Sequence, residues 1–469
     1  MSQLSVPVEP AVAARRSSFR WVVCLLLFLA TTINYMDRQI LGILAKQLQT
    51  QIGWTELQYS YIVMAFQAAY AIGLVSFGWL IDRWGTKKGY SLAILIWSVA
   101  AAFHAAARSV FGFGVARFAL GLGESGNFPA AIKCVTEWFP RRERALATGL
   151  FNSGSNIGAV IAPAIVPWIA LHWGWRPAFV ILGGSGLLWI VLWILLYEKP
   201  ERSKWASKAE RDYILSDEGP PPAAAPTQAM ERLAMTEAEV GAAAAAEEAG
   251  AAAEPTNAGI TWRRLLGFRQ TWAYIVPSAV VSPVWWFYLY WLPKFLGTRY
   301  GLDLSHIGRP LVIVYSMAMV GSIGGGWLSS TFLRWGWSVN AARKVALLIC
   351  VSAVAPVAFI TAVDSIWIAT VLAGLATMGH QGLSANLYTM VSDLFPKRAV
   401  ASVVGLGSAA GSAAAIGFSF VVGLVLQHTG SYAMPFVTAG IGYPLVLLFL
   451  HLMEPRWEPL HVELEKQER

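Results

Sequence analysis

Charge is scarce in this chain: Asp, Glu, Lys and Arg make up 13% of its 469 residues, against roughly 25% in soluble globular proteins. That shortage excludes an ordinary soluble domain of this size. Cysteine is nearly absent as well. Cys24, Cys134 and Cys350 show no CxxC spacing, so no disulfide or zinc framework is visible and the three read as small buried residues. The 7 histidines form no HExxH and no nucleophile–base pair stands out. An enzyme reading therefore has nothing to stand on, and no catalytic residue, metal site or cofactor is expected. A cleavable signal peptide is also missing. Arg15, Arg16 and Arg20 precede an apolar run from Trp21 that continues into Asn34, Tyr35, Asp37 and Arg38 without a small-residue cleavage site, which predicts a retained first membrane helix.

What the chain has is apolar residues, 56% of the total, with a mean hydropathy of +0.52. They fall in blocks of about 20, the length that crosses a bilayer. Spans are predicted near 21–44, 59–80, 88–107, 110–134, 144–171 and 175–197, then near 272–296, 308–332, 342–362, 366–391, 399–427 and 432–453. The expected organisation is a tail (1–20), a first six-helix bundle (21–197), a central loop (198–271), a second bundle (272–453) and a closing tail (454–469). Within the loop, 219–255 is a low-complexity Pro/Ala/Glu-rich stretch with too little varied apolar surface to fold alone.

The net charge of +8 raises nucleic acid as a partner, but its distribution argues for a bilayer. On one side of the predicted topology the loops hold 14 Lys and Arg, among them Arg83, Lys87, Lys88, Arg141, Arg142 and Arg144. The other side holds Lys46, Arg108, Arg176, Lys294, Arg299 and Arg309. The positive-inside rule then puts both termini and the central loop in the cytoplasm.

The two halves repeat each other. At a displacement of 256 residues, Phe139-Pro140-Arg141-Arg142 falls on Phe395-Pro396-Lys397-Arg398, Glu137 on Asp393, and Gly174 on Gly430. Gly78-Trp79-Leu80 matches Gly326-Trp327-Leu328 at 248, as a divergent duplication with one insertion or deletion would give. The fold class expected is an all-α membrane protein of twelve transmembrane helices in two pseudo-symmetric six-helix bundles, binding a solute between them near the midplane.

The loop after span two reads Gly78-Trp-Leu-Ile-Asp82-Arg83-Trp-Gly85-Thr-Lys87-Lys88. It resembles the loop signature of the major facilitator superfamily, with Thr86 at one position where the family has a basic residue. Three further passages resemble the anion:cation symporter family and, within it, the hexuronate (glucuronate/galacturonate) transporters. They are Asn34-Tyr35-Met-Asp37-Arg38, then Gly121-Leu-Gly-Glu124-Ser-Gly-Asn127-Phe-Pro129, and Pro283-Val-Trp285-Trp286-Phe-Tyr288-Leu-Tyr290-Trp291-Leu-Pro293-Lys294. The resemblance covers nearly all the spans. It implies secondary transport by alternating access, with Arg38 recognising the substrate carboxylate and Asp37 and Glu124 carrying protons.

The residues support this independently. A charge at midmembrane costs at least about 2.5–3.5 kcal/mol on insertion scales, yet Asp37, Arg38, Arg117 and Glu124 all interrupt apolar spans. Their formal charges cancel, which predicts pairing. Arg117 and Glu124 are seven residues apart, hence on one helical face, and Arg117 reads as the orienter or coupling partner of Glu124. Arg38 offers a planar fork to a carboxylate; the alternative is that it only neutralises Asp37. For the polyol part of a sugar acid the candidates are Tyr35, Tyr70 and Asn156 in the first half and Trp286, Tyr288, Gln381 and Asn386 in the second.

Two motifs are better read as packing. Gly121-Leu-Gly123-Glu-Ser-Gly126 fits GxGxxG but follows no strand, and Gly154 and Gly158 form GxxxG. His380 falls at the repeat position of Glu124 and reads first as a hydrogen-bonded core histidine. The function expected is symport of a small organic anion with a proton, sodium being an alternative ion, by a monomer in the bacterial inner membrane. Symport of another sugar acid or a monocarboxylate is the runner-up, and a solute receptor of transporter fold the alternative class.

Overall fold

The structure is a computed structural model that describes residues 18–215, 262–395 and 397–457. The low-complexity stretch 219–255 and most of both predicted tails lie outside the described residues. Among those described, the secondary structure is helical, with no strand. Among the described residues, nine helices are each long and apolar enough to cross a bilayer, and two bent pairs bring the number to eleven. The twelfth pass is span four, Val110–Glu124 followed by Asn127–Trp138. Neither of its two helices spans a bilayer alone, because the pass breaks at Ser125–Gly126, where the Ser125 hydroxyl donates back to Leu122 O at 2.6 Å.

The helices overshoot the predicted spans by a few residues at most ends. Span one runs Phe19–Ile52 rather than 21–44, and span five runs Arg141–Trp173. Apolar runs mark where lipid is met, and the polar turns beyond them continue the helix. Local signals set the ends. Thr55 and Gln58 form a reciprocal capping box at the start of span two (Glu56–Trp84), satisfying two otherwise orphaned amides. Gly174 and Gly430, matched by the repeat, both adopt positive φ, 86° and 64°, a conformation that only glycine enters without a Cβ penalty. Each turns the chain between the last two spans of its half.

The duplication is visible in the packing. In the first half span one packs on span five, span two on span four, and span three (Thr86–Phe103) on span six (Trp175–Leu196). In the second half the same pairs recur six spans later: seven with eleven, eight with ten, nine with twelve. Between halves, span two meets span eleven and span five meets span eight. Glycines make these approaches possible. A Cβ on Gly154 or Gly158 would fall 2.4 Å from Phe28 O or Thr32 O of span one. One on Gly121 or Gly123 would fall 2.4 Å from Phe66 O of span two or 2.5 Å from Trp97 N of span three. Both glycine motifs are therefore helix contacts.

Span seven is bent. Arg269–Tyr290 and Leu292–Arg299 meet at 51° across Trp291, where Pro293 cannot supply an amide to the preceding turn. The described start of the central connection carries structure of its own. Pro200–Arg202 and Lys208–Leu215 are helical, and Glu210 is wholly buried. Its carboxylate accepts the backbone amides of Phe19 and Arg20, each at 3.1 Å, and pairs with the Arg20 guanidinium at 3.0 Å. A residue from beyond span six thus caps span one.

Candidate functional site

Span one places Asn34 and Arg38 one helical turn apart on the same face, and both are buried. Arg38 Nε donates to Glu124 Oε2 at 2.9 Å, and one terminal nitrogen donates to Asn34 Oδ1 at 3.2 Å. Glu124 sits on the last turn before the break in span four, so the interruption exposes its backbone carbonyl, which accepts from Asn34 Nδ2 at 3.5 Å. Four rings surround the guanidinium: Tyr35 at 4.6 Å, Tyr70 at 4.9 Å, Phe66 at 5.3 Å and Trp286 at 5.5 Å. Rings at this range attract a cation by their quadrupoles. Trp286 belongs to span seven, so the cage is shared by both halves.

The pairing expected between Arg117 and Glu124 takes a different form. The carboxylate of Glu124 is bonded to Arg38, while Arg117 donates to the backbone carbonyl of Arg38 at 3.1 Å. Seven residues do place Arg117 and Glu124 on one face of Val110–Glu124, and both meet span one there, Glu124 at the Arg38 side chain and Arg117 at the Arg38 backbone. Arg117 lies 5.8 Å from the rings of Phe66 and of Tyr290, and its Nε and second terminal nitrogen are unbonded. Asp37 is buried beside it, with neither carboxyl oxygen hydrogen-bonded among the described residues. Arg38 therefore does not neutralise Asp37 by direct contact.

The remaining candidates separate. Tyr35, Tyr70 and Trp286 join the cage. Asn156 and Gln381 are 6% and 7% exposed and carry no side-chain hydrogen bond among the described residues. Asn386 donates to Gly382 O at 2.8 Å and Gly325 O at 3.0 Å, so its amide nitrogen ties span ten to span eight. Tyr288 is fully buried within the second half, its backbone carbonyl accepting from the Tyr315 hydroxyl at 3.1 Å. It sits two residues from Trp286 and so faces away from Arg38. His380 is a core residue, bonded to the Tyr443 hydroxyl and stacked on Trp285 at 5.3 Å.

In the loop motif, Asp82 is paired with Lys133 of span four at 2.7 Å, Arg83 lies over Trp79, and Lys87 pairs with Glu198. Gly85 turns the chain at φ 83°; a Cβ on Gly78 would meet open space, and Lys88 is exposed. Thr86, the departure from the signature, bonds Glu137 at 2.9 Å. In the second half Arg343 bonds the repeat partner Asp393 at 3.0 Å, so the clasp survives with a hydroxyl in one half and a guanidinium in the other.

At the opposite end the halves are latched together. Lys294 Nζ meets Glu56 Oε2 at 2.5 Å, Lys46 Nζ donates to Gly297 O at 2.5 Å, and the Tyr59 hydroxyl donates to Tyr290 O at 2.7 Å. Sequence reasoning missed these, along with Phe66, Asn34 and Lys133. Asn34 and Phe66 stand four residues from Arg38 and Tyr70, a helical spacing that could have found them.

Twelve passes in two equivalent halves, with a charged and aromatic centre between them, define a membrane transporter. The chain belongs to the Major Facilitator Superfamily, whose family model matches residues 27–417. It is 31% identical to the hexuronate transporter of Escherichia coli K12 over 412 residues, 88% of each chain. It is 32% identical to the galacturonate transporter of Dickeya chrysanthemi over 67% of this chain and 83% of that one. Among solved structures, a bacterial homologue of the human lysosomal transporter Spinster aligns with a TM-score of 0.67 at 19% identity, covering 94% of this chain and 98% of that one. The xylose transporter XylE of E. coli aligns at 0.65 and 14%, covering 94% and 100%.

Proposed function

We propose that this chain is a proton-coupled symporter of a hexuronate, glucuronate or galacturonate, acting as a monomer in the bacterial inner membrane with both termini in the cytoplasm. Bundles 21–197 and 272–453 would rock about the central site, joined by 198–271. The observation that carries the reading is the Arg38–Glu124 ion pair inside a ring of aromatics. Glu124 occupies the guanidinium that a substrate carboxylate needs. A proton on Glu124 releases Arg38, and a carboxylate can then take the fork in bidentate geometry. Release of that proton on the other side lets Glu124 compete again and expel the anion. Proton and substrate are thereby linked through one guanidinium.

The aromatics suit the rest of the ligand. Tyr35, Tyr70 and Trp286 offer faces for the sugar ring and groups that hydrogen-bond its hydroxyls, and Asn156 and Gln381 retain free amides. Asp37, without a hydrogen-bonding partner among the described residues, is the second candidate proton carrier, with Arg117 beside it.

Relatives named as probable galactarate/D-glucarate and D-galactonate transporters, each 28% identical, favour another sugar acid as the second reading. The deciding experiment is uptake of labelled glucuronate into proteoliposomes under an imposed pH gradient, competed by a panel of hexuronates, aldonates and aldarates. Accumulation that collapses with the gradient and is competed best by hexuronates is expected. Uptake indifferent to the gradient would refute proton coupling, and competition led by aldarates would move the substrate class.

A further inference from the structure

Between spans three and four an apolar groove of about 340 Å³ opens on the outer face of the first half. Leu95, Val99 and Phe103 line it from span three, and Val115, Ala116 and Ala119 from span four. From Leu95 to Phe103 it follows eight residues of helix, about 12 Å. One end is closed by the connection 104–109, which joins the two lining spans and carries the exposed Arg108. Arg176, at the start of span six, reaches the same turn, its Nε donating to Ala105 O at 3.1 Å. Its guanidinium lies 4.5 Å over Trp175.

These two cations need an explanation. They stand on the side that holds few positive residues, where Lys294 pairs with Glu56, Arg299 with Asp364 and Lys46 with the carbonyls of Gly297 and Leu302, while the exposed Arg309 belongs to span eight, outside the groove's lining. Arg108 and Arg176 have no carboxylate partner among the described residues. We propose that the groove is a binding site for one anionic phospholipid of the outer leaflet, with an acyl chain between spans three and four and the phosphate at Arg108 and Arg176. An acyl chain gains no hydrophobic transfer by moving from bilayer to groove. Preference must therefore come from the headgroup, and basic side chains at the membrane surface supply it. Phosphatidylglycerol fits this chemistry.

The site lies behind the proposed coupling span. Ala116 faces the groove, and the next residue, Arg117, reaches the opposite way to the carbonyl of Arg38. A chain seated in the groove would buttress the turn of span four that carries Arg117.

The test is native mass spectrometry of the purified full chain in mixed detergent, titrated separately with phosphatidylglycerol and phosphatidylethanolamine of matched acyl chains. The wild type is expected to hold one more phosphatidylglycerol than phosphatidylethanolamine. Arg108→Gln with Arg176→Gln should weaken that last site by roughly fivefold per arginine, from about 1 kcal/mol per charge. Val99→Trp, which fills the groove from an exposed position, should abolish the site while leaving the arginines in place. Thermal unfolding of each variant checks that it is folded. Equal retention of the two lipids by the wild type, or an unchanged preference in either folded variant, would overturn the proposal.

Discussion

Lys294 of span seven holds Glu56 of span two at 2.5 Å across the boundary between the halves, and the lysine side chain is wholly buried. Gln49 steadies the same carboxylate at 3.1 Å. Removing one partner strands the other charge, which typically costs about 3–5 kcal/mol. Glu56→Gln and Lys294→Gln should each destabilise this closed end and abolish concentrative uptake. Glu56→Lys combined with Lys294→Glu should recover part of it. Failure of the reversed pair to outperform either single reversal in proteoliposome uptake would show that the contact is not a latch.

Arg38→Lys keeps the charge but loses the fork and the planar face that four rings enclose. Substrate affinity should fall roughly thirtyfold or more, corresponding to at least about 2 kcal/mol for a buried charged contact. Isothermal titration in detergent measures it. Near-native affinity would remove Arg38 from the site.

Glu124→Gln preserves shape but cannot cycle a proton. The variant should bind substrate and exchange internal for external solute, yet lose accumulation driven by the pH gradient. Counterflow and gradient-driven uptake, measured side by side, separate these. If Glu124 serves only to hold Arg38 in place, the variant instead loses thermal stability, and binding and both transport modes decline together. Normal stability with full accumulation would exclude both roles.

Glu210 caps span one through two amides and a guanidinium. Glu210→Ala should lower stability by about 0.5–2 kcal/mol on the scale of a lost helix cap, seen as a reduced Tm, without altering substrate affinity. Deleting 222–252, in contrast, should leave uptake largely intact, because loop entropy changes slowly with length. Total loss of uptake in a well-expressed deletion would assign that stretch a coupling role.

The sequence made the architecture legible because lipid imposes a strong and periodic constraint. Runs of about 20 apolar residues and a 256-residue repeat sufficed to find the spans and their two halves. The cage was half legible. Arg38, Glu124, Tyr35, Tyr70 and Trp286 stood out as polar or amphipathic groups in apolar runs, whereas Phe66 looked like any other membrane phenylalanine. The partner of Glu124 was legible only as a choice between Arg117 and Arg38. Helical spacing points to Arg117, whereas the guanidinium that Glu124 meets belongs to Arg38 on another helix, 86 residues away in the chain. Asn386 was legible in its need for partners: an amide among small residues must be bonded, and its nitrogen meets the carbonyls those small residues leave accessible. The Lys294–Glu56 latch joins positions 238 residues apart, beyond the reach of any local pattern.

Glu210 also sets a timetable for synthesis. The amides it caps belong to Phe19 and Arg20, 191 and 190 residues earlier in the chain. At a ribosomal rate of 5–20 residues per second, that interval lasts roughly 10–40 s. Throughout it the start of the first helix must rely on water or lipid headgroups for its open donors. Once residue 210 has emerged, the first six helices can be fastened at their entrance before any of span seven has been made. The nascent chain can thus complete one half as a finished unit, against which the second half then assembles.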